Sequence, residues 1–267
     1  APAERANLVR RPTTSNAALV AYARGRAAWR HNDEASLRLA ETAFETAIEA
    51  DSMFAGAWAG LAEVLIWQDP YRPPRQLYPR ARLAAQRALT LAPASADAIA
   101  ALAVIAYCYD WDPARAESLA RRALRLDSTH ARARLYLAEA LVAQGRADEA
   151  APAYHAALAA DTLDEAVALE SVAGLQLARR TDESLALAQR WRRRWRRSEI
   201  WAFVEAVTLV GSIRCASSPP PVPIGPIALA CAGRAAAARA AADTIVAQVE
   251  RGEYYYPPAY LAMTFVS

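Results

Sequence analysis

The sequence predicts an all-α fold, a right-handed α-solenoid built from antiparallel helix pairs. Three observations carry this. Alanine dominates a chain of 267 residues that holds only nine glycines, and alanine costs no side-chain entropy in a helix. Runs of Val, Ile and Thr that would form strands are absent. And the chain repeats itself: "AIEADS" (47–52), "ALTLAP" (88–93), "ALRLDS" (123–128) and "ALAADT" (157–162) start 41, 35 and 34 residues apart. A second marker, Leu61-Ala62, Leu102-Ala103 and Leu137-Ala138, keeps the same 41 and 35 spacing. Self-similarity at such a period is the signature of stacked supersecondary units.

Each unit reads as two helices. In residues 133–161, Leu137, Ala138 and Leu141 share a face at helical spacing. Gly145 permits the left-handed turn that ends the first helix. Asp148 and Glu149 suit the N-terminus of the second through its dipole. Ala150, Tyr154 and Ala157 form that helix's inner face, with the Tyr ring filling the gap between helices. The same register places Ala40 and Phe44, Ala81 and Ala85, and Ala116 and Ala120. Ser52, Pro93, Ser128 and Thr162 interrupt the pattern and are expected to start or cap the next unit.

The organisation follows. Residues 1–16 read as an N-terminal linker and 17–197 as about five repeats. The first repeat has a longer turn, the second an insertion around "WQDPYRP". Residues 198–267 read as degenerate helical repeats with a Pro-rich loop at 216–226. The paired helices, period and small-residue positions resemble the tetratricopeptide repeat (TPR), the unit at 131–164 most closely.

A more specific resemblance rests on "AYCYDWDPARAESLARRALRLD" (106–127), with "YARGRAAW" (22–29), "AGLAEVLIW" (59–67) and "GEYYYPPAYLAM" (252–263). These look like the TPR regions of bacterial CadC/HilA-type winged-helix transcriptional regulators; similar regions follow class III adenylate cyclases and some kinases. The resemblance implies a sensory or interaction region fused to an N-terminal effector domain, periplasmic in membrane-anchored members and otherwise cytoplasmic. A free-standing TPR scaffold for complex assembly is the alternative. Within "YCYDWDP", Asp112 reads as a helix cap with Pro113 in the first turn, and Tyr109 and Trp111 are expected to pack under the insertion.

In such an array the first helices line a concave groove. The residues expected to face it are Tyr22, Arg26, Glu63, Trp67, Val104, Tyr107, Arg132, Leu135, Glu139 and Gln176. Aromatic, guanidinium and carboxylate groups together suit a protein or peptide partner, or a small zwitterionic effector. A homo-oligomer is a further expectation. A second candidate is "QRWRRRWRRSE" (189–199), whose Arg190, Arg193, Arg194 and Arg197 form an anion or partner patch. Leu187, Ala188, Trp191 and Trp195 share one helical face, so the tryptophans are expected to pack inward beneath arginine stems. Nucleic-acid contact through 190–197 is the rival reading, and it would need those rings exposed.

Other classes find little support. All 31 basic residues are arginine, yet the net charge is only +3, below the basic excess of a dedicated nucleic-acid binder. Nucleophile-elbow, zinc-protease, P-loop and dinucleotide motifs are missing, and His31, His130 and His155 are scattered. We therefore expect no enzyme, no metal and no cofactor. Cys108, Cys215 and Cys231 show no zinc spacing; free thiols or a Cys215–Cys231 disulfide both remain open. No apolar run reaches the roughly 18 residues of a membrane helix.

Overall fold

The computed structural model describes residues 13–30, 33–69 and 71–194. Arg197, Trp195, His31, Cys215, Cys231, most of the proposed linker and the whole of 198–267 with its Pro-rich loop lie outside the described residues. Among the described residues ten α-helices follow one another: α1 (Asn16–Trp29), α2 (Glu34–Ala50), α3 (Ala55–Ile66), α4 (Pro74–Leu91), α5 (Ala96–Cys108), α6 (Pro113–Leu126), α7 (Ala131–Ala143), α8 (Ala147–Ala160), α9 (Glu165–Leu177) and α10 (Thr181–Arg194).

They pack as pairs, α1 with α2 through α9 with α10, and each second helix also touches the next first helix. First helices touch one another from pair to pair: α1–α3, α3–α5, α5–α7 and α7–α9. Second helices make no comparable contacts among themselves. The row of first helices is therefore the inner, shorter arc of an α-solenoid, and the second helices are the outer one. This is the architecture expected from the repeat, and the starts of α3, α5, α7 and α9 keep the 41, 35 and 34 spacing of the sequence markers.

The local signals explain the helix ends. Ser95, Asp112 and Asp164 cap α5, α6 and α9 by accepting backbone N–H groups of the first turn, and Pro113 takes the first position of α6. His130 caps α7 through Nδ1, which accepts from the Ala133 N–H at 3.1 Å. These caps stand two residues beyond those expected at Pro93, Ser128 and Thr162. For Ser128 and Thr162 the reason lies one residue earlier. Asp51, Asp127 and Asp161 each follow a second helix and accept the N–H two residues on, at 2.9 Å (Met53, Thr129 and Leu163), so the chain completes an aspartate turn before the next helix begins. Gly145 does adopt a left-handed φ of 75°.

The core is alanine close-packed around a few rings. Phe44 is fully buried and fills the space beside Gly25 and Gly60, where an added Cβ would lie 2.9 and 2.6 Å from the ring. Tyr154 does the same over Gly174, at 2.1 Å. The insertion is tied down by Glu41: Gln68 Nε2 and Arg72 Nη1 both donate to Oε2 at 2.8 Å, and Arg80 pairs with Oε1 at 2.9 Å. Burial pushes the Glu41 pKa up, but these bonds outweigh it and leave it below its ordinary value. Tyr109 stacks at 5.1 Å on Tyr78, which stands in α4 beyond the insertion. Trp111 does not pack under the insertion. It takes a left-handed φ of 56° and is 68% exposed, because the chain must reverse there before Asp112 caps α6, and the turn carries the indole outward.

Candidate functional site: two cavities on the first-helix face

Two cavities open on the row of first helices. The first, of about 260 Å³, is lined from α1 and its C-cap by Arg26, Trp29 and Arg30, from α3 by Glu63, from α5 by Asp97, and from the starts of α7 and α9 by residues around His130, Arg132 and Asp164. Asp127 and Asp161, two of the three aspartate turns, also line it. The second, of about 80 Å³, lies between α3, α5, α7 and α9 and is walled by Trp67, Val104, Tyr107, Leu135, Tyr136, Glu139 and Tyr154, among others.

Arg132 organises the first cavity. Its guanidinium lies 4.1 Å from the centroid of Trp29 and 4.6 Å from that of Trp67, held between the two rings. Its Nε and Nη2 donate to Asp164 Oδ2 at 3.1 and 2.9 Å. Burial works against the charge, but Asp164 and its other acidic neighbours outweigh it, so the pKa stays above its ordinary value and the cation is locked in. The remaining nitrogen, Nη1, is buried without a hydrogen-bond partner. Trp67 faces the second cavity with its other neighbours, so the Arg132–Trp67 stack is the partition between the two.

Glu63 is the unusual acid. It is 3% exposed, and its Oε1 has no hydrogen-bond partner. Burial and the nearby Asp97 charge raise its pKa, Arg132, His130 and Arg26 oppose them, and the balance pushes it up to about 7. Asp97 goes the other way: the hydrogen bond from His130 Nε2, at 3.0 Å, holds it below its ordinary value. For His130, burial disfavours the charge and Asp97 favours it, with a net upward direction. Because Nδ1 accepts the Ala133 N–H, this geometry places the ring proton on Nε2, toward Asp97.

The second cavity has acids and tyrosines but no guanidinium. Burial, then the neighbouring Glu170 and Asp69 charges, raise the Glu139 pKa well above its ordinary value. Asp69 accepts from the Tyr78 hydroxyl at 2.9 Å, yet burial still pushes its pKa up to about 7. The Cys108 thiol, free and half-buried, is likewise pushed up, which disfavours the thiolate.

The sequence-predicted groove residues thus divide. Arg26, Glu63 and Arg132 line the first cavity; Trp67, Val104, Tyr107, Leu135 and Glu139 line the second. Gln176 lines neither. Tyr22 is half-buried against Phe54 and Phe44, with ring centroids 4.9 and 5.7 Å away, and packs between repeats rather than lining a cavity.

Comparison with known proteins agrees with this geometry. The model of the tetratricopeptide repeat family matches residues 112–194. No curated protein matches the chain significantly. Among solved structures, TTC0263, a thermophilic TPR protein of Thermus thermophilus, is similar at 18% identity and a TM-score of 0.56, covering 73% of this chain and all of that one. PilW, a widely conserved type IV pilus biogenesis factor, is similar at 18% identity and a TM-score of 0.51, covering 86% of this chain and 94% of that one. The fold is a TPR-like α-solenoid.

Along this TPR-like array, sequence reasoning missed Trp29, Asp97, His130 and Asp164 as parts of the first cavity. Asp97 and Asp164 carry a signal, since each sits at or beside the cap that opens a first helix and so at the edge of the inner face. His130 and His155, scattered in the sequence, each meet a carboxylate, Asp97 at 3.0 Å and Glu183 at 2.9 Å, across repeats that sequence spacing does not connect. Trp191 is 4% exposed and packs with Leu158, Ala168 and Val172, as the helical stripe predicts. Its ring is therefore not available to stack on a base. Arg190 covers that ring at 5.5 Å, and Arg193 and Arg194 are exposed. Among the described residues, no group of acidic, His and Cys side chains has metal-site geometry, and no helix is long and apolar enough to cross a membrane.

Proposed function

We propose that this chain is a non-catalytic interaction module that binds an extended segment of a partner protein along the face formed by its first helices. One observation supports the reading above others: both cavities open on that single face, and buried polar atoms there, Glu63 Oε1 and Arg132 Nη1, are left without partners. Buried polar groups in folded proteins are nearly always satisfied, so an orphan donor and acceptor beside one cavity mark a place where a ligand completes the structure. A peptide offers both carbonyl and N–H groups to do so. The "YCYDWDP" element and its flanking segments further suggest that the module belongs to a bacterial regulator of the CadC/HilA type, where occupancy of the face would bias a fused effector.

The binding reading is tested by panning a random peptide display library on the chain. Retained peptides should lose about tenfold in affinity on Trp67→Ala, which removes one wall of the Arg132 stack. Failure to retain any peptide, or retention unaffected by Trp67→Ala, overturns it. The regulator reading is tested by the reading frame upstream of Ala1: a winged helix in frame supports it, and a signal peptide followed directly by this module favours the scaffold alternative.

A further inference from the structure

The first cavity carries more acid than base. Five carboxyl groups line it against three guanidiniums, and His130 is already engaged by Asp97 at 3.0 Å, so the balance stays acidic. Of the three guanidiniums, Arg132 is already matched by Asp164. Glu63 has no such match: it is almost wholly buried on α3, midway along the inner face, with an oxygen that no protein group satisfies. Asp97 is half exposed, so the hollow leads from solvent down to Glu63.

We infer that this cavity is the anchor for one basic side chain, lysine or arginine, of the segment that lies along the first-helix face. The inference rests on the binding reading above and deepens it. Size agrees: 260 Å³ exceeds the roughly 150 Å³ hollow that holds a benzene and falls short of the roughly 300–1,000 Å³ of drug-sized sites, which is room for one side chain. Charge agrees, because an entering ammonium or guanidinium gives Glu63 the donor it lacks and offsets the acidic surplus. An entering carboxylate would meet that surplus in a desolvated site, and the only deep guanidinium it could seek is already bound to Asp164. The long aliphatic stem of such a side chain would lie against the Trp29 wall while its head reaches Glu63. Recognition would thus have the opposite sign to a carboxylate-binding clamp.

The test is a positional-scanning library of hexapeptides, acetylated and amidated so that the ends are uncharged, measured against the full chain. One position should prefer Lys or Arg over norleucine by about tenfold, the size of one charge-assisted hydrogen bond. Glu63→Gln, close in volume, should abolish that preference while weak binding of all pools persists. Asp97→Asn, on the half-exposed rim, should reduce the preference by about threefold and serves as the readout if Glu63→Gln does not fold. A preference for acidic or neutral residues at every position, or a basic preference that survives both substitutions, overturns the anchor and leaves peptide binding standing. Retention of no pool by the wild-type chain overturns both.

Discussion

The two cavities stand on the same row of helices and each contains a carboxylic acid with a raised pKa, yet the acids behave differently. Glu63 faces Arg132, Arg26 and His130 across the first cavity, and its pKa stops at about 7. Glu139 faces Glu170 and Asp69 across the second, with no guanidinium to oppose them, and its pKa rises well above the ordinary value. Burial pushes both up. What separates them is whether a cation sits within reach. The first cavity is thus an electrostatic site whose acid can charge near neutrality, and the second is an aromatic hollow whose acid stays a hydrogen-bond donor to higher pH.

The partition between them is where the comparison breaks most easily. Arg132→Leu deletes the charge that Asp164 pairs with and the plate between Trp29 and Trp67. We expect about 4 kcal/mol of lost stability in chemical denaturation, in the range for breaking a buried pair from one side. Arg132→Lys should recover less than half of it, because an ammonium neither lies flat between two rings nor donates twice to Asp164. Full recovery by lysine would mean that charge alone matters and the stack does not.

The second cavity breaks at its floor. Tyr154 occupies the space a side chain at Gly174 would need, with ring atoms 2.1 Å from an added Cβ. Gly174→Ala should cost about 3 kcal/mol by overpacking. Adding Tyr154→Leu should relieve part of that, so the two changes will not be additive. A thermal midpoint close to wild type for Gly174→Ala alone would show that the ring has another place to go.

Titration sharpens the contrast. Unfolded, Glu63 has an ordinary pKa of 4.5; folded, it is about 7. Between those values the folded state binds more protons, so stability falls as pH rises through the window and the loss is complete above it. Asp69 contributes with the same sign, and Glu41 and Asp97, held below their ordinary values, act only at more acidic pH. From pH 5 to pH 8 Glu63→Gln should lose about 2 to 3 kcal/mol less than wild type. Glu139, raised further, also binds its extra proton in the folded state across this window, so Glu139→Gln should flatten the fall between pH 5 and 8 as well and carry the flattening to higher pH, where Glu63→Gln has no further effect. Identical profiles for the two variants would erase the distinction drawn above.

Much of this is legible in the sequence, and the part that is not has a physical cause. The helix pairs, their register, the Tyr154 face and the inward Trp191 follow from periodicity, because each unit hides its apolar stripe against its neighbour. The caps fall two residues later than the sequence suggests because Ser128 and Thr162 are conspicuous, whereas the aspartates before them do the turning. The first cavity is only half visible. Arg26, Glu63 and Arg132 follow from facing inward, but the Trp29–Arg132–Trp67 stack joins residues from three repeats, and no spacing announces it. Trp111 defeats the expectation because an aromatic residue in a turn is ordinarily drawn to cover, and here the left-handed backbone turns it outward.

The smallest effect concerns the turns that close α7 and α9, the two helices that run beneath both cavities. α7 ends at Gly145 with φ 75°; about 34 residues on, at the same point of the next repeat, α9 ends at Arg179 with φ 59°. The bonding is the same. The Gly145 N–H reaches Val142 O at 2.9 Å and the Arg146 N–H reaches Leu141 O at 2.9 Å; the Arg179 N–H reaches Gln176 O at 2.9 Å and the Arg180 N–H reaches Leu175 O at 2.8 Å. Only glycine adopts that φ without its Cβ crowding the carbonyl. Arg179 is exposed, so its side chain gives little back through packing. Arg179→Gly should therefore stabilise the array by about 1 kcal/mol, the relief of left-handed strain less the added freedom of glycine in the unfolded chain. Gly145→Arg should destabilise it by a similar amount, measured by the same denaturation midpoint. If both substitutions lower stability, Arg179 is held by a contact of its own, and the two turns are alike in shape but not in cause.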